Sequence, residues 1–326
     1  MDYFIIGLIT ISLFDFARTF INNEVPEIFQ EFAQLISLFL GYFIIKNWIS
    51  HNKTELVIKF LFSLVIINSI ASILFILHQG LNLRIYLEEE YLKESFEGVE
   101  ISRSFYFMPQ FLFFSITFLL VFKEKYPLLY RPLLIINLLA VFITYTRSYV
   151  IIIALIFLLY FLLMGIKKGK IGLIFKNIFL YSLLALFGIF ILSKIFPVKS
   201  KYFMDRFTEL STPSTTQDPN NLQYRFMRTG NIISSMGTDK KIFGMGPVTA
   251  NQYSSYAEMG FATSDMVWAG VIFRWGFAGL ALFILLYIFS LIYTFRFFMR
   301  SDGILSYLAL FLFIYIFSQI VESFVS

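Results

Sequence analysis

The chain has 326 residues, of which 58% are hydrophobic, 20% aromatic and only 14% charged. A soluble domain of this size cannot bury so much apolar surface, so lipid must be the solvent for most of the chain. The absence of cysteine excludes disulfides and thiolate metal sites, and His51 and His78, far apart and expected on opposite sides of the membrane, do not favour a histidine metal site. The modest net charge of +5 gives no indication of a nucleic-acid partner.

Apolar runs of bilayer-spanning length recur along the chain, without the alternation typical of barrel strands. They predict an all-α fold, a polytopic transmembrane helical bundle of about nine spans. The predicted spans cover residues 3–17, 27–47, 56–78, 105–122, 128–146, 148–166, 172–193, 266–295 and 303–321.

Lysine and arginine residues cluster in every second loop between these spans. If the spans alternate, all four basic groups lie on one side, which is then the cytoplasmic side. The N-terminus is therefore expected inside. The predicted organisation is about seven N-terminal spans over 1–193, a large extracytoplasmic loop over 194–265 and about two C-terminal spans over 266–326.

Two outer segments are expected to form short surface helices. The glutamate-rich segment 79–104 predicts a short solvated helix with a loop. In the long loop, Asp218 and Pro219 are typical of a helix start, apolar residues then recur at helical spacing, and Gly237 ends the helix.

A charged residue lies at the tip of the apolar hairpin Thr144-Tyr145-Thr146-Arg147-Ser148-Tyr149. Charge this close to hydrocarbon is unfavourable unless it is paired or hydrated. Arg147 is either a snorkelling anchor at the headgroups or part of a site. The hydroxyl groups of Thr144, Thr146 and Ser148 favour an anion-binding corner.

Arg225 and Arg228, one helical turn apart in the long loop, suit the two sides of a phosphate or pyrophosphate. The alternative is an ordinary solvated stripe or contact with anionic lipid headgroups. Further on, the turn Gly244-Met245-Gly246-Pro247 offers backbone N–H groups to an anion, although such a turn is more often structural.

Asp265 precedes the eighth span, where aspartate commonly serves as a helix N-cap. The functional alternative is a general base at the membrane surface, with Glu258 as a second candidate. Trp268, one turn later, is either an interfacial belt residue or a platform that stacks on a sugar.

Together these features resemble the O-antigen polymerase and ligase family. The resemblance rests on the T-x-T-R-S hairpin, the loop R-x-x-R, F-G-M-G-P, S-D-M-V-W and G-F-A-G, over about residues 130–290. It implies a multi-spanning glycosyltransferase that acts on polyprenyl-pyrophosphate-linked glycans outside the cytoplasmic membrane. The positions that match the family pattern are Arg147, Arg225, Gly244, Gly246, Gly276 and Gly279.

Ligases of this family typically carry a histidine before the span that begins at 266. Here the sequence reads Ala262-Thr263-Ser264-Asp265, which favours a polymerase with Asp265 in the base position. The predicted enzyme is an inverting polymerase of the bacterial cytoplasmic membrane that uses no cofactor or metal. Its expected partners are a lipid-linked glycan donor and acceptor, membrane lipids and a chain-length regulator. A ligase, a lipid-linked sugar flippase or transporter, and a non-enzymatic subunit are the alternatives.

Overall fold

The computed structural model describes residues 53–81, 92–96, 99–103, 109–144, 146–170 and 267–325, most of 230–244, and the single positions 172, 194, 198 and 201. The predicted spans over 3–17, 27–47 and nearly all of 172–193 lie outside these residues. The elements are α1 (Thr54–Leu81), β1 (Leu92–Phe96), β2 (Val99–Arg103), α2 (Pro109–Val121), α3 (Tyr130–Ile143), α4 (Arg147–Lys168), α5 (Thr238–Phe243), α6 (Val267–Arg300) and α7 (Gly303–Val325).

The helices confirm the predicted membrane class. Four have a stretch long and apolar enough to cross a bilayer: Thr54–His78, Ser148–Lys168, Trp275–Arg300 and Gly303–Glu322. α2 and α3, also apolar, are shorter at 13 and 14 residues. The described part of the chain therefore supports a multi-pass helical protein, and the count of about nine spans stays a prediction.

Large apolar side chains of these helices face outward. Ile67 and Ile70 on α1 are 62% and 54% exposed, and Phe289 and Tyr293 on α6 are 48% and 65% exposed. Apolar patches of this kind are unfavourable in water, whereas hydrocarbon is a suitable solvent for them. These helix faces therefore fit a lipid environment.

The acidic segment 79–104 is the clearest difference from the sequence prediction. The expected solvated helix is wrong over 92–103, where β1 and β2 pair antiparallel, with Leu92 opposite Arg103 and Phe96 opposite Val99. Apolar and polar residues alternate over residues 99–102 in β2, and a Glu-Gly pair separates the two strands in the sequence. Both features favour a hairpin, and the glutamate content concealed them.

The chain divides into two compact units. The first comprises residues 1–58, 214–293 and 323–326, and the second comprises 59–213 and 294–322. The three segments predicted from topology, 1–193, 194–265 and 266–326, describe the order of spans along the chain and stay a prediction.

Within the second unit, α2 runs antiparallel to α7 and parallel to α4. Phe114 meets Tyr315 with ring centroids 5.6 Å apart, while Phe122, further along α2, approaches Tyr307 at 6.5 Å. α2 and α4 run in the same direction, because Phe113 contacts Tyr149 near both N-termini and Lys123, just after α2, lies over the Tyr160 ring further along α4. The relative directions of α2, α4 and α7 agree with spans that alternate along the chain, and the full topology stays a prediction.

Polar side chains join α1, α2 and α3 near the middle of each helix. The Asn68 amide donates to Ser115 Oγ at 3.0 Å and to Asn137 Oδ1 at 2.8 Å. Asn137 Nδ2 donates to Ser69 Oγ at 2.8 Å, and Ser72 Oγ donates to Asn137 Oδ1 at 3.3 Å. All five side chains are buried. We call them the Asn68–Asn137 network, and in hydrocarbon such bonds hold helices together.

Lys167, near the end of α4, binds the connection between α6 and α7. Its ammonium donates to the Phe298 carbonyl oxygen at 2.7 Å, and also to the Ser301 carbonyl and the Ser306 hydroxyl. The carbonyls at a helix end lack intrahelical partners, so the lysine satisfies groups that would otherwise be unpaired. Asp302 lies 3.8 Å away but is 99% exposed, so this ion pair contributes little.

Candidate functional site

The hairpin between α3 and α4 uses its own hydroxyl groups to hold its backbone. Thr144 Oγ1 donates to the Val141 carbonyl at 2.7 Å, and Thr146 Oγ1 donates to the Thr144 carbonyl at 3.2 Å. Because a hydroxyl has one proton, neither threonine has a donor left for an anion in this arrangement. Ser148 is buried beside them. The binding roles of Thr146 and Ser148 stay predictions.

Arg147 is the first residue of α4, whereas the sequence placed it in the loop before the span. Its N-cap, Thr146, has extended backbone angles of φ −97° and ψ 113° and caps the helix with no side-chain hydrogen bond. The first turn of α4 contains no acidic residue. The first N–H groups of a helix have no intrahelical partner and lie at the positive end of its dipole, so the start of α4 at Arg147 favours an anion.

In the first unit, α5 leads into the glycine turn. Gly244 ends α5 with φ 78° and ψ −179°, and its N–H donates to the Lys240 carbonyl at 2.7 Å. Gly276 interrupts α6 with φ 65° and ψ −169°. A Cβ on Gly276 would overlap the carbonyl of Ile242 and lie 2.5 Å from the Gly244 nitrogen. Two elements of the family resemblance therefore meet through backbone atoms.

This contact changes how the glycine turn is interpreted. The Gly244 N–H is already used at the end of α5, so an anion held by the turn would depend on N–H groups further along. Gly246 lies outside the described residues, and the anion-binding role of both glycines stays a prediction. The positive φ of Gly244, in a region of backbone space nearly restricted to glycine, supplies a structural reason for glycine at this position.

Most of the other predicted site residues fall outside the described part of the chain. Arg225, Arg228, Glu258 and Asp265 are among them. Trp268 lies in the first turn of α6, where the structure describes only its backbone, and the same holds for Arg147 in α4. The predicted convergence of the three arginines therefore remains a prediction. Where the chain is described, no three His, Asp or Glu side chains group as metal ligands.

One polar group escaped the sequence prediction. Gln110, the second residue of α2, donates through Nε2 to the Glu322 carboxyl at 3.1 Å, and Glu322 is only 4% exposed. Gln319, one turn before Glu322 on α7, has a buried Nε2 atom. The sequence contained a signal for this group, because Gln319 and Glu322 interrupt the end of the last apolar run. It was missed because the predicted span ended at 321.

The fold and its outward-facing apolar surfaces define a multi-pass helical membrane protein. Residues 132–284 match the family model described as O-antigen ligase, which confirms the predicted resemblance to the O-antigen polymerase and ligase family. The matched region contains the arginine hairpin, the glycine turn and the kink of α6. Comparisons with curated proteins and with solved structures gave no significant match. At a coarse level, this similarity supports a membrane enzyme.

Proposed function

We propose that the chain is a polymerase that joins oligosaccharide repeat units carried on undecaprenyl pyrophosphate, at the outer face of the bacterial cytoplasmic membrane. Its product would be a capsule, an exopolysaccharide or an O-antigen. The observation that carries the proposal is the position of Arg147 at the start of α4, inside the region that matches the O-antigen ligase model. A guanidinium at the positive end of a helix is well suited to hold a diphosphate.

The reaction transfers a glycan from one lipid carrier to another. An acceptor hydroxyl attacks the anomeric carbon of the donor sugar, and the bond from that carbon to the pyrophosphate oxygen breaks. Undecaprenyl pyrophosphate leaves with an additional negative charge. Arg147, Arg225 and Arg228 stabilise this charge, and their effect is largest where water is excluded. Because the arginines supply the positive charge, the proposed mechanism needs no metal.

The acceptor hydroxyl must lose its proton during the attack. Asp265 accepts that proton in the proposed mechanism, and Glu258 is the second candidate. A single direct displacement inverts the configuration at the anomeric carbon. Trp268, one turn beyond Asp265, is placed in the sequence to stack on a sugar ring near the reacting atoms.

A polymerase is favoured over a ligase by the residues that precede α6. Family ligases typically carry a histidine there, and this chain has Ala262-Thr263-Ser264-Asp265. The ligase alternative draws its support from the description of the matching family model. A flippase or transporter is the candidate from another class. Such proteins commonly carry polar or charged sites near the bilayer midplane, and the Asn68–Asn137 network is neutral and internally bonded.

Deletion of the gene distinguishes these activities. Loss of a polymerase leaves glycolipid with single repeat units, loss of a ligase leaves long unligated polymer, and loss of a flippase leaves repeat units facing the cytoplasm. Complementation with Asp265→Asn should not restore polymer, although the variant should insert normally. Full-length polymer from that strain, with an unchanged pH profile, would remove Asp265 from the mechanism.

A further inference from the structure

The proposed mechanism leaves the polar group on α2 and α7 without a role. We propose that Gln110, Gln319 and Glu322 form a subsite for the hydroxyl groups of a sugar in the lipid-linked glycan. The inference rests on the proposed function, since that function brings such a glycan to the membrane face that holds Arg147.

Contacts within the second unit place this group at the same end of the helices as the arginine hairpin. Phe113 on α2 meets Tyr149 on α4 edge to face, with 5.4 Å between ring centroids. Gln110 lies one turn before Phe113, and Arg147 lies two residues before Tyr149. The hydrogen bond from Gln110 then brings Glu322 to this end. A substrate held at the hairpin therefore lies on the same side of the membrane as the polar group.

The hydrogen bonding of the Gln319 amide is incomplete. Gln319 Nε2 is fully buried and has no acceptor within the described part of the chain. A buried donor without a partner is unfavourable and calls for a specific explanation. Glu322 lies three residues further along α7, so the two side chains emerge from neighbouring faces of one helix end. An unsatisfied donor next to a buried carboxyl is the arrangement of a site built for a polar ligand.

Sugar hydroxyls match this pair in both directions. A hydroxyl donates its proton to a carboxyl oxygen of Glu322 and accepts a hydrogen bond from the amide of Gln319. Gln110 donates to one oxygen of this carboxyl, and a carboxyl group can accept several hydrogen bonds at once. A diphosphate would not suit the carboxyl, so the subsite binds the glycan and not the leaving group.

An aromatic cluster lies one turn deeper along α7. Tyr315 stacks on Phe311 with an interplanar angle of 4°, and it meets Phe114 of α2 edge to face at 5.6 Å. Phe114 and Phe311 are buried, so the polar group lies next to an apolar, aromatic part of the core. A sugar ring has apolar C–H faces as well as hydroxyls, so an aromatic floor beneath hydrogen-bonding side chains suits it.

Binding of two probes to the purified full-length chain tests the subsite. The first probe is undecaprenyl pyrophosphate bearing the repeat unit, extracted from cells that lack this gene. The second is bare undecaprenyl pyrophosphate. We expect Gln319→Leu and Glu322→Gln to weaken binding of the sugar-bearing probe about tenfold and to leave the bare probe unaffected. The matched control is Ser318→Ala, because Ser318 is buried on the same turn and its hydroxyl donates to the Tyr315 carbonyl.

The outcomes separate this inference from the proposed function. Equal weakening of both probes means that the side chains act through the fold, which overturns the subsite. The subsite is also overturned if both variants bind the sugar-bearing probe as tightly as the wild type does. If the wild-type chain makes polymer, the polymerase proposal is then unaffected. If the gene deletion accumulates no single repeat units, the polymerase proposal itself fails. Unchanged binding of the bare probe shows that a variant has folded.

Discussion

The backbone of Gly244 packs against Gly276 at the kink of α6, where a Cβ on residue 276 would lie 2.5 Å from the Gly244 nitrogen. Both glycines have positive φ with ψ near 180°, a region of backbone space that is nearly restricted to glycine. The end of α5 and the break in α6 are therefore parts of one tight contact. Gly244 is required for its backbone conformation. Gly276 is required for its conformation and also because a side chain there would overlap the backbone of α5.

We predict that Gly276→Ala is strongly destabilising. The variant must adopt an unfavourable φ and displace backbone atoms of Ile242, which cannot rotate away as a side chain can. The expected cost is about 3 kcal/mol or more, measured as a loss of thermal stability of the purified protein in detergent. Gly230→Ala is the control, because nothing lies within 4 Å of a Cβ at that position. Equal melting temperatures for both variants would contradict the close packing.

The Asn68–Asn137 network supports a second prediction. Asn137→Ala leaves the Asn68 amide without its 2.8 Å partner in a buried position, so we expect a loss of about 2 kcal/mol. A single Asn→Leu change leaves the remaining asparagine without its bond to the other amide, whereas the double Asn→Leu variant removes both amides. The double variant should therefore be more stable than the sum of the two single leucine changes predicts. Ser63→Ala, at an exposed position on α1, is the control. Strict additivity of the two leucine substitutions would show that the amides do not interact.

Lys167 is expected to stabilise the chain through the carbonyl oxygens at the end of α6. Lys167→Met should therefore lower thermal stability by about 1–2 kcal/mol, whereas Asp302→Asn should change it little, because Asp302 is fully exposed. Lys168→Met is the matched control on the neighbouring exposed residue. Thermal melts at low and high salt separate the two interactions, since only a surface ion pair is strongly screened. A stability loss in Asp302→Asn as large as that in Lys167→Met would reverse this assignment.

The sequence predicts the membrane class and helix positions well because both depend on local composition. The predicted span 148–166 falls inside α4, and 303–321 falls inside α7. The β-hairpin was missed because its many glutamates suggest a solvated helix, whereas the Glu-Gly turn brings Phe96 opposite Val99 and the two strands pair from there. Interactions between distant parts of the chain were also missed. Nothing local in Gln110 indicates that it binds Glu322, since that contact exists only after α2 and α7 pack together.

The candidate site is predictable to a similar degree. Arg147 was identified because a charge next to hydrocarbon is conspicuous, and the matching family model includes this hairpin. Its place as the first residue of α4 was not predicted, because helix ends depend on backbone angles that a short loop leaves open. The glycine motifs were identified as family positions. Their contact with each other was not predicted, because it depends on the kink of α6 at Gly276.

The sharpest prediction about activity concerns Arg147. A lysine at this position keeps the charge and loses the planar pair of N–H donors, so Arg147→Lys should retain part of the activity while Arg147→Ala loses about a hundredfold or more. The measurement is the rate of polymer formation by purified protein from lipid-linked repeat units, together with thermal melts to show that both variants fold.

Arg131→Ala is the control, since Arg131 is exposed at the start of α3, the end of that helix away from the hairpin. A snorkelling anchor would require only a positive charge, so Arg147→Lys would then match the wild type. Full activity in both Arg147→Lys and Arg147→Ala would remove the guanidinium from the mechanism and with it the strongest support for diphosphate binding at the hairpin.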